Sequence, residues 1–185
     1  MPNRQKIAEI IRVNHAGEMG AKVIYDGQII ALKIKRDEKT LKIIEDMKKQ
    51  ECQHFDYFDE FLRQNKTRPT LMQPLWEIGG FALGFLTALA DKKAAMVCTT
   101  AVEEVIDEHY QQQIKDLEYL KKNTLNTDTK MIEDLQENIK KFRADEIHHR
   151  DIAYDNNARD FMAYKALSGF IKLTTKFAIN ISKKI

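Results

Sequence analysis

The chain has 185 residues, 30 of them basic and 28 acidic, for a formal charge of +2. That length can bury a sizeable core as one domain without disulfides, and the near-balance of charge gives no support to a nucleic-acid partner. Seven Gly and three Pro are few for the turns of a sheet protein, whereas abundant Lys, Glu, Leu, Ile and Ala favour an all-α chain.

The opening run MPNRQKIAEII lacks the apolar stretch of a secretory signal and the length of an organelle presequence, which suits a bacterial cytoplasmic protein or a processed form. A first helix is predicted over about 4–35, with Ile11, Glu18, Ala21, Tyr25 and Ile29 facing inward. Gly17 and Gly20 flank Glu18. Each costs about 1 kcal/mol against Ala in a helix, a loss best explained by a close neighbour at that point. After the charged turn 36–39, a second helix over about 40–64 carries Ile44, Met47, Glu51, His54, Phe58 and Phe61 on one stripe.

Pro69 breaks the chain, and residues 71–90 form a third helix that is apolar nearly all round, with Pro74 near its first turn. It is expected to be more buried than a surface helix and to serve as the long crossover of a bundle. Its uncharged run, 78–90, is short for a bilayer span. The fourth helix, about 92–121, aligns Met96, Thr99, Glu103, Ile106, Tyr110, Ile114 and Leu117, and Glu103 is the one acid on that line. Cys52 and Cys98 cannot build a disulfide framework or a thiolate metal site and read as core thiols in a reducing compartment.

A polar turn, 123–127, leads to Asp128 as the expected cap of a fifth helix. There the stripe runs Ile132, Leu135, Ile139, Phe142, Glu146, His149, Ala153. The last helix, about 160–184, sets Lys165, Lys172, Lys176 and Lys183 on one side with Leu167, Phe170, Ile171, Ala178, Ile181 and Ile185 opposite. Such a basic amphipathic helix suits an anionic membrane surface, with a bundle helix bearing a solvated lysine face as the plain alternative.

A Glu and a His three residues apart sit about 60° apart round a helix and roughly 4.5 Å along it, close enough to hold one ion. Burying them unpartnered would cost several kcal/mol. The device occurs twice, as Glu51 with His54 and Glu146 with His149, and each is preceded by a helix with one inward Glu, Glu18 and Glu103. This duplicated pair matches the ferritin-like di-iron or di-manganese pattern. Four carboxylates neutralise two divalent ions: Glu51 and Glu146 would bridge, Glu18 and His54 would complete one ion, and Glu103 and His149 the other. Oxygen-rich ligands suit iron or manganese. Glu104, Asp107, Glu108 and Asp145 read as solvated or neighbouring acids, His15 and His109 as hydrogen-bonding neighbours or satisfied core groups, His148 as exposed, and Tyr110 as lining a pocket beside the ions or, as is commoner for an inward Tyr, as core.

The runs IIRVNHAGEMGA, ECQH, the long stretch from Arg68 to Tyr110, and KKFRADEIHHRDIA resemble the demethoxyubiquinone hydroxylase family of ubiquinone biosynthesis from Ile10 onward. The resemblance implies a peripheral membrane monooxygenase with two Fe ions, using O₂ and reducing equivalents from NADH to hydroxylate the ring of a polyprenylated demethoxyubiquinol. It carries over Glu18, Glu51, His54, Glu103, Glu146 and His149 as metal ligands and places His109 and Tyr110 near substrate. Relatives often have Tyr where Met19 stands. It also implies the cytoplasmic face of a bacterial inner membrane, or the mitochondrial inner membrane for a processed eukaryotic form, and leaves room for partner proteins of the same pathway. A ferritin- or rubrerythrin-like ferroxidase and a manganese catalase are the rivals on the same ligand set.

Overall fold

The computed structural model describes residues 2–123 and 129–184. Six α-helices hold nearly all of them: α1 Pro2–Lys35, α2 Glu38–Gln64, α3 Gln73–Ala90, α4 Lys92–Lys122, α5 Thr129–Asp155 and α6 Tyr164–Ser182, with a 3₁₀ turn Ala158–Asp160 before α6. Among the described residues there is no strand. The expected cap Asp128 and Ile185 of the last stripe lie outside them. Asn157, in the left-handed region at φ 67°, closes α5, so the last helix begins later than its periodicity suggests.

The stripes explain the packing. Every position of the α2 and α5 lines is buried, because a face of period 3.6 residues is what one helix can offer another. α1 pairs with α2 through the two-residue link Arg36–Asp37, whose Asp37 side chain accepts from the Thr40 amide at 3.1 Å. α4 pairs with α5. Apolar layers lie on either side of the inward acids: Leu41, Ile44, Met47 and Met96 toward one end, Phe58, Phe61, Leu117 and Ile132 toward the other. Each fully buried side chain of this kind is worth about 1.5–3 kcal/mol. These layers hold four helices around a polar centre that could not fold alone.

α3 departs from expectation. It is not deeply buried: Leu75, Ile78 and Leu86 are 52%, 71% and 61% exposed. Only one side touches the bundle, and there small residues let the backbones of α1 and α3 meet. A Cβ on Gly84 would stand 1.9 Å from the Ile24 carbonyl oxygen, and one on Gly27 2.2 Å from that of Phe81. Gly17 and Gly20 do not make this approach; a Cβ would meet nothing nearer than 3.8 Å at Gly17 and nothing within 4 Å at Gly20. An apolar circumference records only that water is absent, and a lipid or a partner removes water as well as a core does.

α6 lies against α4. Ile171 is buried, Lys172 pairs with Glu104, and Lys176 pairs with Glu108 at 2.8 Å. The Trp76 indole donates to Ser182 Oγ at 3.1 Å, tying α3 to the end of α6. Two of the four lysines therefore serve α4 and do not form a free basic face, while Phe170, Leu173 and Phe177 point outward at 60–69% exposure. No helix among the described residues is long and apolar enough to cross a membrane.

Candidate metal centre

Glu18, Glu51, His54, Glu103, Glu146 and His149 all converge between the two apolar layers, each at most 3% exposed. They form two overlapping groups, Glu18, Glu51, His54 and Glu146, and Glu51, Glu103, Glu146 and His149, with potential ligand atoms in each group within 4.8 Å of one another. The shared members are Glu51 and Glu146. His54 Nδ1 stands 3.1 Å from Glu146 Oε1 and 3.5 Å from Glu18 Oε2; His149 Nδ1 stands 3.0 Å from Glu51 Oε1 and 3.2 Å from Glu146 Oε2.

Further side chains repeat across the two halves. Tyr25, two turns after Glu18, donates its hydroxyl to Glu103 Oε1 at 3.0 Å, and Tyr110, two turns after Glu103, donates to Glu18 Oε1. The outer nitrogens of the imidazoles are also held: His54 Nε2 by Asp145 Oδ2 at 3.1 Å and His149 Nε2 by Gln50 Oε1 at 2.7 Å. Sequence reasoning placed Tyr25 inward without a role and passed over Gln50; the equal spacings Glu18–Tyr25 and Glu103–Tyr110 were the available signal. The Phe142 ring, 4.2 Å from that of His54, forms one wall.

The electrostatics are those of crowded acids. Burial first, and then the charge of Glu146, push Glu51 well above the carboxylate range, and burial with Glu146 and Glu51 does the same to Glu103. Glu146 goes the other way, to about 2: burial opposes its charge, but bonds from His149 and His54 outweigh that. Desolvation pulls both imidazoles down, yet the carboxylates of Glu146 and Glu18 raise His54 to about 12, and those of Glu146 and Glu51 raise His149 to about 9. Both oxygens of Glu51 are buried without an aligned donor, although His149 Nδ1 is close to one of them. Buried, unsatisfied acceptors between two imidazoles and three further carboxylates are the donor set for a pair of hard divalent cations, and the residues fit that group.

Beside the centre is a cavity of about 300 Å³ bounded by α1, α3, α4 and α6. Gly17, Ala21, Val102 and Ile106 line its inner side, on the same turns of α1 and α4 as Glu18 and Glu103. Tyr110 faces the carboxylates and does not line this cavity. His109 lies off it as well, with its Nε2 2.8 Å from Gln113 Nε2, and burial lowers its pKa to about 4. His15 is buried against the Phe55 ring and 3.4 Å from Asp59, His148 is exposed, and Asp107 is 2.6 Å from Arg143.

Residues 5–182 match the family model of the ubiquinone biosynthesis protein COQ7. The chain belongs to this family. Curated COQ7 relatives are similar over nearly the whole of this chain: the mitochondrial NADPH-dependent 3-demethoxyubiquinone 3-hydroxylase of Dictyostelium discoideum is 41% identical over 98% of this chain and 79% of its own. The 3-demethoxyubiquinol 3-hydroxylase of Rhodospirillum rubrum is 42% identical over 97% and 78%. The mitochondrial human enzyme, also named as NADPH-dependent, is 40% identical over 99% and 80%. All six converging acids and imidazoles lie within the matched span of this COQ7 member.

Proposed function

We propose that this chain is a hydroxylase that adds a ring oxygen to a polyprenylated demethoxyubiquinol during ubiquinone biosynthesis, using O₂ at a dinuclear iron centre held by Glu18, Glu51, His54, Glu103, Glu146 and His149. The observation that carries this reading is the pair of overlapping buried groups sharing Glu51 and Glu146, in a chain whose relatives are named for that hydroxylation. When bound, two ferrous ions would supply the electrons and Lewis acidity that activate O₂.

The chain's own residues do the rest. Glu51 and Glu146, common to both groups, would help to hold both ions. Tyr110 and Tyr25 hold the carboxylates of Glu18 and Glu103 from the opposite half, so neither can swing when a substrate enters. Asp145 and Gln50 fix the imidazole rings through their outer nitrogens, leaving Nδ1 turned to the carboxylates, where it would hold an ion. The cavity walls of Val13, Leu83, Val102, Ile106 and Phe170 offer an apolar path for an isoprenoid tail and keep water from the reacting ring. The family resemblance also puts His109 and Tyr110 near the substrate ring; off the cavity as they are, Tyr110 would act through its bond to Glu18 and His109 through its contact with Gln113.

The outward apolar residues of α3 and α6 stand at the helices that bound the cavity, which supports peripheral attachment to a quinone-bearing membrane, the cytoplasmic face of a bacterial inner membrane or the mitochondrial inner membrane. The whole span works as one ferritin-like domain, since helices from both ends of the chain meet at one centre. Electrons come from a reduced nicotinamide; the names of the relatives favour NADPH over the NADH implied by the sequence resemblance.

The test is a single turnover of anaerobically iron-loaded protein with a demethoxyquinol and isotopically labelled O₂. The ring gains one labelled oxygen if the proposal holds. Iron oxidation with no ring product would indicate a ferroxidase, and peroxide disproportionation by a manganese form a catalase.

A further inference from the structure

The polar centre repeats itself crosswise. Glu18 corresponds to Glu103, Tyr25 to Tyr110, Glu51 to Glu146 and His54 to His149, the two groups share Glu51 and Glu146, and each tyrosine bonds the lone Glu of the other half. The residue just before each shared Glu also reaches across to the imidazole of the other hairpin, Asp145 to His54 and Gln50 to His149. Of these five pairs it is the one whose members differ chemically. A carboxylate accepting from an imidazole N–H makes the opposite ring nitrogen more electron-rich, whereas a neutral amide accepts more weakly and polarises the ring less. With Nδ1 turned to the centre, Nε2 carries the proton in both rings, so Asp145 and Gln50 both act as acceptors.

We propose that Asp145 and Gln50 make the two metal positions unequal, so that the position of Glu18 and His54 fills with a divalent cation before the position of Glu103 and His149. This rests on the dinuclear reading given above and adds an order of loading and two positioning residues to it. Losing such an outer partner costs about 10- to 100-fold in metal affinity, and the step from carboxylate to amide lies at the lower end of that range, about tenfold.

The experiment is a Mn²⁺ titration of chelator-stripped full-length protein, followed by electron paramagnetic resonance and by equilibrium dialysis, with circular dichroism as the check on folding. The wild type is expected to show an isolated-ion spectrum at one equivalent and a spin-coupled pair at two. Asp145→Asn weakens the first step about tenfold and leaves the second unchanged. Gln50→Glu strengthens the second step by a similar factor. Glu103→Gln keeps the first step, which assigns it to the position of His54. A spin-coupled signal from the first addition, two equal affinities in the wild type, or an equal loss at both steps in Asp145→Asn would each overturn the inference while leaving a dinuclear site standing. Failure to bind two Mn²⁺ would instead remove the dinuclear reading itself.

Discussion

Replacing Glu51 by Leu should make the chelated protein more stable and deprive it of its response to metal. Glu51 is fully buried and neither of its oxygens has an aligned donor. Ligand atoms of its neighbours Glu18, Glu103 and Glu146 lie within 4.8 Å, and at that separation one like-charged pair costs about 3.5 kcal/mol at an effective dielectric of about 20. Protonation relieves the charge, as the upward shift of Glu51 indicates, but leaves an unsatisfied buried acid worth about 1–3 kcal/mol. Leu fills a similar volume without either cost. The expected gain is about 2 kcal/mol, which in a chain of this length raises Tm by roughly 4–8 °C. At a cation concentration a hundredfold above Kd the wild type gains about 2.7 kcal/mol, and the variant should gain little. Thermal unfolding followed by circular dichroism, in EDTA and in Mn²⁺, reads both effects. A variant that melts below the wild type in EDTA and still rises with Mn²⁺ would show that Glu51 is a structural acid and not part of a cation site.

Three other outcomes are expected. In chelator, stability should fall as pH rises from about 6.5 to about 9, because His149 holds its proton in the fold up to about 9 against an ordinary 6.5. His54 is raised likewise, so both imidazoles contribute stability that is present at low pH and lost as pH climbs through the folded value, and ionising the raised Glu51 and Glu103 adds a cost in the same direction. Bound cations need the deprotonated ligands, so the Mn²⁺-induced rise in Tm should grow over the same window; melts at several pH values with and without the ion check the opposed trends. Gly84→Ala should destabilise by about 1–3 kcal/mol, since its Cβ would meet the Ile24 backbone, whereas Gly169→Ala, with nothing within 4 Å, should stabilise by up to about 1 kcal/mol. Denaturant midpoints distinguish them, and equal effects would refute the backbone contact. Replacing both Leu173 and Phe177, 69% and 60% exposed, by Glu should leave Tm unchanged and weaken co-sedimentation with anionic vesicles at least tenfold, since burying one such side chain is worth about 1.5–3 kcal/mol; unchanged vesicle binding would exclude α6 as the attachment surface.

The centre was legible because acids and imidazoles on an apolar stripe cannot be accidental twice over. Periodicity alone places Glu51, His54, Glu146 and His149 inward, and the duplication singles out Glu18 and Glu103 from the other acids of their helices. What periodicity does not report is what lies across a helix from a given face. Asp145 and Gln50 leave from the edges of their stripes, so their reach to the opposite imidazole depends on the approach of α2 to α5. α3 shows the same limit from the other side: its residues say only that water is unwelcome, and the contact that fixes it is made by Gly27 and Gly84, a pair visible only once two backbones are seen to touch. The lysines of α6 pattern as a solvated face, yet Lys172 and Lys176 are partnered by Glu104 and Glu108, acids that belong to another helix.

The crosswise tyrosines have a consequence for descent. A hairpin of α1 and α2 that associated with a second copy of itself would already bring two Glu-x-x-His motifs, two lone acids and two hydroxyl arms together about a two-fold axis, so joining the copies in one gene demanded no new chemistry. Identical subunits, however, must carry the same residue before each shared Glu. One chain can carry Asp in one half and Gln in the other, and in that difference the molecule holds a distinction between left and right that a two-fold pair of identical hairpins could not.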